Sequence, residues 1–395
     1  MMFTASCSAA RLRQLFACVV LALAACGGGV ETGGTGTGAY VQGPISGFGS
    51  VIVAGVRFDD ASANIEDADG TVRSRDGLRL GMLVEVESGP IGDDGSGGRA
   101  ATATRVRLAS ELLGPVGLVD PANARLTVLG QLVRLAPSTV FDGVSGGAAG
   151  LQVGDVVEVH GFFASAEGYL ATRVERRSGS PASYRVRGLV RNLDVPAKTL
   201  RIGLQTFDLT ATGVPAGLAD GQFVRLTLNP TPQVGGRWSV TAISIESRSA
   251  GDRDEAEVEG LISAFTSFAQ FSVNGVRVDA SAATFVDDRA GLAEGVRVKV
   301  RGRSVAGTLV AGTVDIRSDA DAFGEGVDIR DLIASVDGSA QTFVVRGVTV
   351  FYGQSPELKD GTLANIVAGQ RVRVRAVLSA DRTRLVATRI EFVNN

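Results

Sequence analysis

The chain has 395 residues, of which 52 are glycine and only 17 Phe, 4 Tyr and 1 Trp, a length beyond one ordinary core of roughly 100–150 residues and a composition that predicts several small β-type domains. Its 39 basic and 42 acidic residues leave a net charge of −3 with no long single-sign block, which argues against a dedicated nucleic-acid binder. All three cysteines, Cys7, Cys18 and Cys26, lie at the N-terminus, so the rest of the chain has neither a disulfide framework nor a thiolate metal site.

Residues 1–25 follow the plan of a secretory signal. Arg11 and Arg13 precede an apolar run, Leu15 to Ala25, that is too short to span a bilayer stably. The run ends Leu23-Ala24-Ala25-Cys26, which resembles the bacterial lipobox. That resemblance implies an acylated Cys26 anchored in a membrane of the cell envelope, and Gly27 in the next position points to the outer membrane, facing the periplasm. The glycine- and threonine-rich segment that follows reads as a tether, residues 26–40. Gly34-Thr35-Gly36-Thr37-Gly38 has the look of a phosphate loop, but no strand precedes it and no helical pattern follows.

One pattern, Leu-x-x-Gly-x-x-Val-x-Val, then organises the remaining sequence. Its glycines, Gly81, Gly154, Gly221, Gly295 and Gly369, stand 73, 67, 74 and 74 residues apart. Upstream of four copies lies a Gly-x-Val/Ile start, as in Gly114-Pro115-Val116, while the fifth begins near Val327-Asp328-Ile329. Next comes a period-2 segment such as Phe271-Ser272-Val273-Asn274-Gly275-Val276-Arg277-Val278, whose Asn-Gly is a hairpin signal because both turn residues must accept positive φ. Ala54-Gly55 and Arg346-Gly347 take the same place with weaker turn chemistry. Each copy closes on a strand of the type Ala171-Thr172-Arg173-Val174.

Five short strands per copy predict an all-β chain, a tandem array of five small five-stranded OB-like barrels. The repeats are read as residues 41–108, 112–176, 184–247, 255–318 and 326–393, with short polar joints between them. The joint at Ala109 to Glu111 is so short that modules one and two are expected to pack as a pair. A single helical turn fits between the hairpin and the fourth strand. Strand alternation sends Val157 and Val159 inward and Glu158 and His160 outward. By the same rule Arg297, Lys299 and Arg301, with Arg303 beyond them, and Arg371, Arg373 and Arg375 form outward basic stripes.

The run Gly43 to Phe58, and Asn274-Gly275-Val276-Arg277-Val278 with Leu292-Ala293-Glu294-Gly295-Val296-Arg297-Val298, resemble the bacterial repeat family called domain of unknown function 5666. Copies one, two and four carry the resemblance best, and copy three departs from it at Leu226 and Thr227-Leu228. The family brings an architecture and a location, but no activity and no catalytic residues.

Chemistry-bearing patterns are sparse. His160 is the single histidine, and as a residue of a strand's outer phase it reads as a solvated surface group. Gly143-Val144-Ser145-Gly146-Gly147 matches a nucleophile elbow in letters, but lacks the strand-to-helix context and a late histidine. The pairs Asp59-Asp60, Asp93-Asp94 and Asp287-Asp288 lie in turns, and Glu85 and Glu87 share one strand face. Glu66-Asp67-Ala68-Asp69-Gly70 offers calcium-type oxygens without EF-hand spacing. No catalytic residue, metal site or cofactor is therefore assigned.

The leading reading is a non-enzymatic, lipid-tethered string of barrels acting as a scaffold or binding module for an envelope polymer or protein. A second reading is a binder of an anionic envelope polysaccharide through Arg297, Lys299, Arg301, Arg371, Arg373 and Arg375. The third, a carboxylate-dependent hydrolase, requires acids from different modules to converge in one pocket.

Overall fold

The computed structural model describes residues 38–393 apart from 96, 166, 167, 247 and 320–325. The signal segment, Cys26 and nearly all of the tether lie outside the described residues. Module one comprises β1 (Ala39–Phe48), β2 (Val51–Val53), β3 (Val56–Asp59), β4 (Asn64–Asp67), β5 (Leu83–Ser88), β6 (Gly92–Asp93) and β7 (Arg99–Leu108). Module two has β8 (Leu112–Asp120), β9 (Arg125–Val128), β10 (Gln131–Asp142), β11 (Val156–Ala164) and β12 (Gly168–Arg176). Module three has β13 (Tyr184–Leu189), β14 (Arg191–Asp194), β15 (Thr199–Ile202), β16 (Gln205–Asp208), β17 (Phe223–Leu228) and β18 (Trp238–Ile245). Module four runs through β19 (Arg253–Ser267), β20 (Gln270–Val273), β21 (Val276–Asp279), β22 (Thr284–Phe285), β23 (Arg297–Val305) and β24 (Thr308–Ile316). Module five contains β25 (Val327–Asp337), β26 (Thr342–Val345), β27 (Val348–Phe351), β28 (Glu357–Lys359), β29 (Arg371–Leu378) and β30 (Leu385–Phe392).

The chain is all-β, and each module closes in one way. In module one β1 pairs antiparallel with β2 and with β5, β2 with β3, and β5 with β7, while β3 and β7 run parallel. A 1-2-3-5-4-1 ring whose third and fifth strands are parallel is the OB topology, which leaves no free edge. The parallel closure recurs as β10–β12, β16–β18, β21–β24 and β27–β30. Module three, despite its departures from the pattern, closes like the rest. The expected helical turn is a 3-10 turn in four modules, at Arg75–Gly77, Gly147–Gly150, Arg289–Gly291 and Leu363–Asn365.

The repeat pattern has a plain physical content. Its five glycines all have φ between +78° and +93°, where a side chain is strained, and each turns the chain into the fourth strand. The apolar positions that follow, such as Val84 and Val86 or Val372 and Val374, are fully buried in the barrel interiors. Four hairpin tips, Ala54-Gly55, Leu129-Gly130, Asn274-Gly275 and Arg346-Gly347, place two successive residues at positive φ, as two-residue hairpins require.

The arrangement of the barrels differs from the expected string. β1 runs parallel to β19 over Ala39–Gln42 and to β25 at Gly47 and Phe48, so the first strand of module one joins modules four and five, its distant neighbours in sequence. β8 pairs antiparallel with β13, joining modules two and three. One apolar core unites modules one and five and another modules two and three, while Leu83, Phe162 and Leu261 share a smaller cluster that knits modules one, two and four. The tether is also shorter than expected, because Ala39 and Tyr40 are already buried in β1.

Candidate functional site

The basic stripes are the feature that the sequence singles out. On β23, Arg297 is not outward at all. It is 2% exposed, donates from Nη2 to Glu259 Oε1 at 2.5 Å, and lies with its guanidinium carbon 5.2 Å from the ring centre of Phe162 in module two. Lys299 is also largely covered, pairing with Glu257 at 2.9 Å and donating to the Ala54 carbonyl of module one, while Arg301 reaches Glu257 at 3.2 Å. The outer phase is covered at Arg297 and Lys299 because other barrels sit on it, and the acids of β19 neutralise it. Of this stripe Arg301, exposed although paired with Glu257, and Arg303, exposed beyond the seam, keep the expected outward position.

On module five the stripe survives better. Arg371 is half-buried, Arg373 pairs with Asp328 at 2.6 Å, and Arg375 is exposed. Arg375 stands directly opposite Arg389 on β30, a like-charge cross-strand pair that is unfavourable unless an anion intervenes. With Lys359 and Glu391 these arginines line a surface groove of about 200 Å³. Glu391 and Glu357 approach Lys359 and Arg389 only at 3.8 Å, so the groove is net basic.

The second concentration of chemistry lies where modules one, two and three meet, in a cavity of about 410 Å³. Asp67, Arg73 and Arg79 line it from module one, Glu158, His160, Glu175 and Arg177 from module two and its C-terminal joint, and Arg185 from module three. His160 is 1% exposed, contrary to its reading as a surface histidine, and Glu158 is 8% exposed, because module one packs on the outer face of β11. The imidazole Nδ1 is sealed from solvent without a hydrogen-bond partner. Burial pushes His160 down, the Glu158 charge pulls it up, and Arg173, Arg177 and Arg185 push it down again, for a net value of about 4. Burial alone would raise Glu158. The opposing charges of His160, Arg177 and Arg185, with a hydrogen bond from Ser110, hold it at about 2. At neutral pH the ring is uncharged, and the arginines do this work.

Three carboxylates from two modules thus converge, as a hydrolase would require, but each is held by arginine. Arg73 meets Asp67 at 2.6 Å, and Arg177 bridges Glu158 and Glu175. A general acid needs a raised pKa, whereas Glu158 and Asp67 are both lowered, Asp67 by hydrogen bonds from Arg73 and two backbone amides that overcome the rise from burial.

The acidic loop is committed in the same way. Glu66 pairs with Arg105, Asp67 caps its own turn, and Asp69 pairs with Arg185 and Arg225 across the joint to module three. Asp60 is buried against Arg75 at 2.8 Å, and Glu85 and Glu87 face Arg107 and Arg105 across the sheet. Ser145 sits in a loop between β10 and a single 3-10 turn. Sequence reasoning also missed Glu111, wholly buried in the short joint. Arg248 donates to both of its oxygens at 2.8 and 2.9 Å, and Arg187 lies 3.6 Å away and binds Glu246 at 2.6 Å.

The domain of unknown function DUF5666 matches residues 114–175, 259–315 and 332–391, that is, modules two, four and five. The chain carries three DUF5666 repeats. Module one falls outside the match although its opening resembles the family, and so does module three; both share the barrel topology of the matched copies. No curated protein matches the chain. Among solved structures, the Drosophila Unr fragment CSD456 is similar at 13% identity, over 53% of this chain and 96% of that one, with a TM-score of 0.13. The OB assignment of this chain rests on its own strand pairings.

Proposed function

We propose that the protein is a non-enzymatic binding scaffold of the bacterial cell envelope, tethered through lipidated Cys26 and presenting five barrels as one rigid body. One observation carries the reading: β1 is shared between the sheets of modules one, four and five while β8 pairs with β13, so that the surfaces of distant repeats hold fixed positions. A scaffold gains from that rigidity, because a preorganised surface loses less entropy on binding. The commitment of the converging acids to arginine supports a non-catalytic role. Labelling with palmitate, abolished by Cys26→Ser, tests the anchor. Crosslinking of the lipidated protein in its native envelope tests the scaffold, and recovery of the protein with no specific envelope component attached would count against it.

A second reading, binding of an anionic envelope polymer, is favoured in module five by the opposed pair Arg375 and Arg389 in a net basic groove. Retention on an immobilised polyuronate should fall with salt and disappear in Lys359→Ser/Arg375→Ser/Arg389→Ser. Retention that survives the triple substitution rules this groove out. Arg297 is unsuitable for such a test, since its loss strands buried Glu259.

A further inference from the structure

We propose that the cavity shared by modules one, two and three binds a small oxyanion, a carboxylate or phosphate group, with Arg79 as its charge partner and His160 as a second donor. The charge inventory points to it. Four guanidiniums line the cavity against three carboxylates. Asp67 is satisfied by Arg73, and Glu158 and Glu175 by Arg177. Arg185 is spent on Ser110 Oγ at 2.6 Å and on Asp69, with Glu158 at 3.9 Å. Arg79 has no carboxylate partner among the described residues. Its Nη1 donates to the main-chain carbonyls of Asp76 and Leu78, which give it position but no countercharge.

The second observation is independent of the charges. His160 lines the same cavity with Nδ1 buried and unpartnered. A buried ring nitrogen without a partner costs free energy that a bound group would recover, and a guanidinium fork suits the planar face of a carboxylate or phosphate. The volume of about 410 Å³ suits a single sugar acid or phosphate ester.

Binding is linked to protons. The groups facing the imidazole are Glu158 on its own strand, Arg173 and Glu175 on β12, Arg177 and Arg185 from the flanking segments, and Asp67, Arg73 and Arg79 across the cavity. An added anion opposes the guanidiniums and favours the imidazolium. The affinity of a carboxylate, whose own charge is constant over this window, therefore rises as pH falls from 7 toward 5, whereas phosphate loses part of its charge over the same range.

The chain has one histidine, so the full-length protein in detergent micelles, labelled with ¹³C-histidine, gives one imidazole signal. Titration with inorganic phosphate and, separately, with glucuronate distinguishes the two sources, with sodium chloride at matched ionic strength as the reference. A saturable shift with either anion, at a Kd of about 1 mM or tighter, and an upward move of the His160 midpoint by about one unit or more are expected. Arg79→Gln should weaken binding by about tenfold or more, Arg79→Lys should restore part of it, and Arg303→Gln, outside the cavity, should change nothing. The ligand-free His160 signal shows that the junction is intact in each variant. No shift beyond that of chloride with either anion, or equal affinity in Arg79→Gln, overturns the proposal.

Discussion

Glu111 and His160 show how a few residues carry the seams between barrels. Glu111 faces two buried guanidiniums, those of Arg187 and Arg248, and Arg248 also stacks 4.1 Å from the ring centre of Phe223 and donates to Asn274. Removing one partner of a buried ion pair strands the other, at about 3–5 kcal/mol. Glu111→Ala should therefore destabilise the protein by about that amount in urea titrations, and Arg248→Met in the same background should recover part of the loss. A cost below about 1 kcal/mol would mean the network is solvated. His160 contributes in another way. Its value near 4 lies below the ordinary 6.5, so between those pH values the unfolded chain binds more protons than the folded one. Stability from this group is complete above pH 6.5 and lost as pH falls toward 4, by roughly 3 kcal/mol in all. His160→Gln should flatten the fall in melting temperature over that window, and an unchanged slope would place the titration elsewhere. Glu158, lowered from 4.5 to about 2, adds stability that is present above pH 4.5 and disappears only as pH falls through 2.

At the scale of strands and turns, the hairpin tip between the second and third strands serves as the docking element. The tip of module one offers the Ala54 carbonyl to Lys299 of module four, and that of module four offers Asn274 Oδ1 to the Phe163 amide of module two at 3.0 Å. The tip of module five lays Arg346 over Phe48 of module one, 4.8 Å from the ring centre. Modules two and three meet tip to tip, where Gln131 donates to the Ile202 carbonyl at 2.7 Å. The repeat glycines separate turn strain from seam contact. A side chain at Gly154 meets nothing within 4 Å, whereas one at Gly81 would lie 2.7 Å from the Thr172 carbonyl of module two. Gly154→Ala should thus cost about 1–2 kcal/mol from its left-handed backbone alone, and Gly81→Ala about 1–3 kcal/mol more from the clash. Equal costs in urea titrations would deny the seam between modules one and two. The strands, tips and buried valines were legible in sequence, because period-2 alternation and turn chemistry are local. The fate of the outward faces was not, since Arg297 is buried by Phe162, 135 residues earlier. A partial signal existed: Glu257 and Glu259 on β19 lie opposite Arg301 and Lys299 on β23, and Glu85 and Glu87 opposite Arg107 and Arg105. Basic and acidic strands in matched register announce mutual neutralisation, so each stripe had to be judged together with its neighbour.

For the molecule as a whole, barrel size sets the problem and lateral packing answers it. A domain of about 60 residues buries only about 60% of the surface its unfolded chain exposes, and is marginal alone. Here the cores of modules one and five are continuous, as are those of modules two and three, and Tyr40 of module one enters the core of module four. Buried ionic seams add a penalty for partial opening, because separating modules one and four would expose Glu257 and Lys299 while parting β1 from β19. Independent barrels would melt separately, each with a heat-capacity change of about 0.9 kcal/mol/K, whereas one fused body should melt once with about 5 kcal/mol/K. Scanning calorimetry distinguishes these cases directly. A fused body gives a van't Hoff enthalpy equal to the calorimetric one, while five unlinked barrels of similar stability give about a fifth of it. Agreement between the two enthalpies in the native chain, with a ratio that falls in Glu111→Ala, would tie the cooperativity to the buried seam. Five separable transitions in the native chain would return the protein to beads on a thread and remove the rigid presentation on which the scaffold role depends.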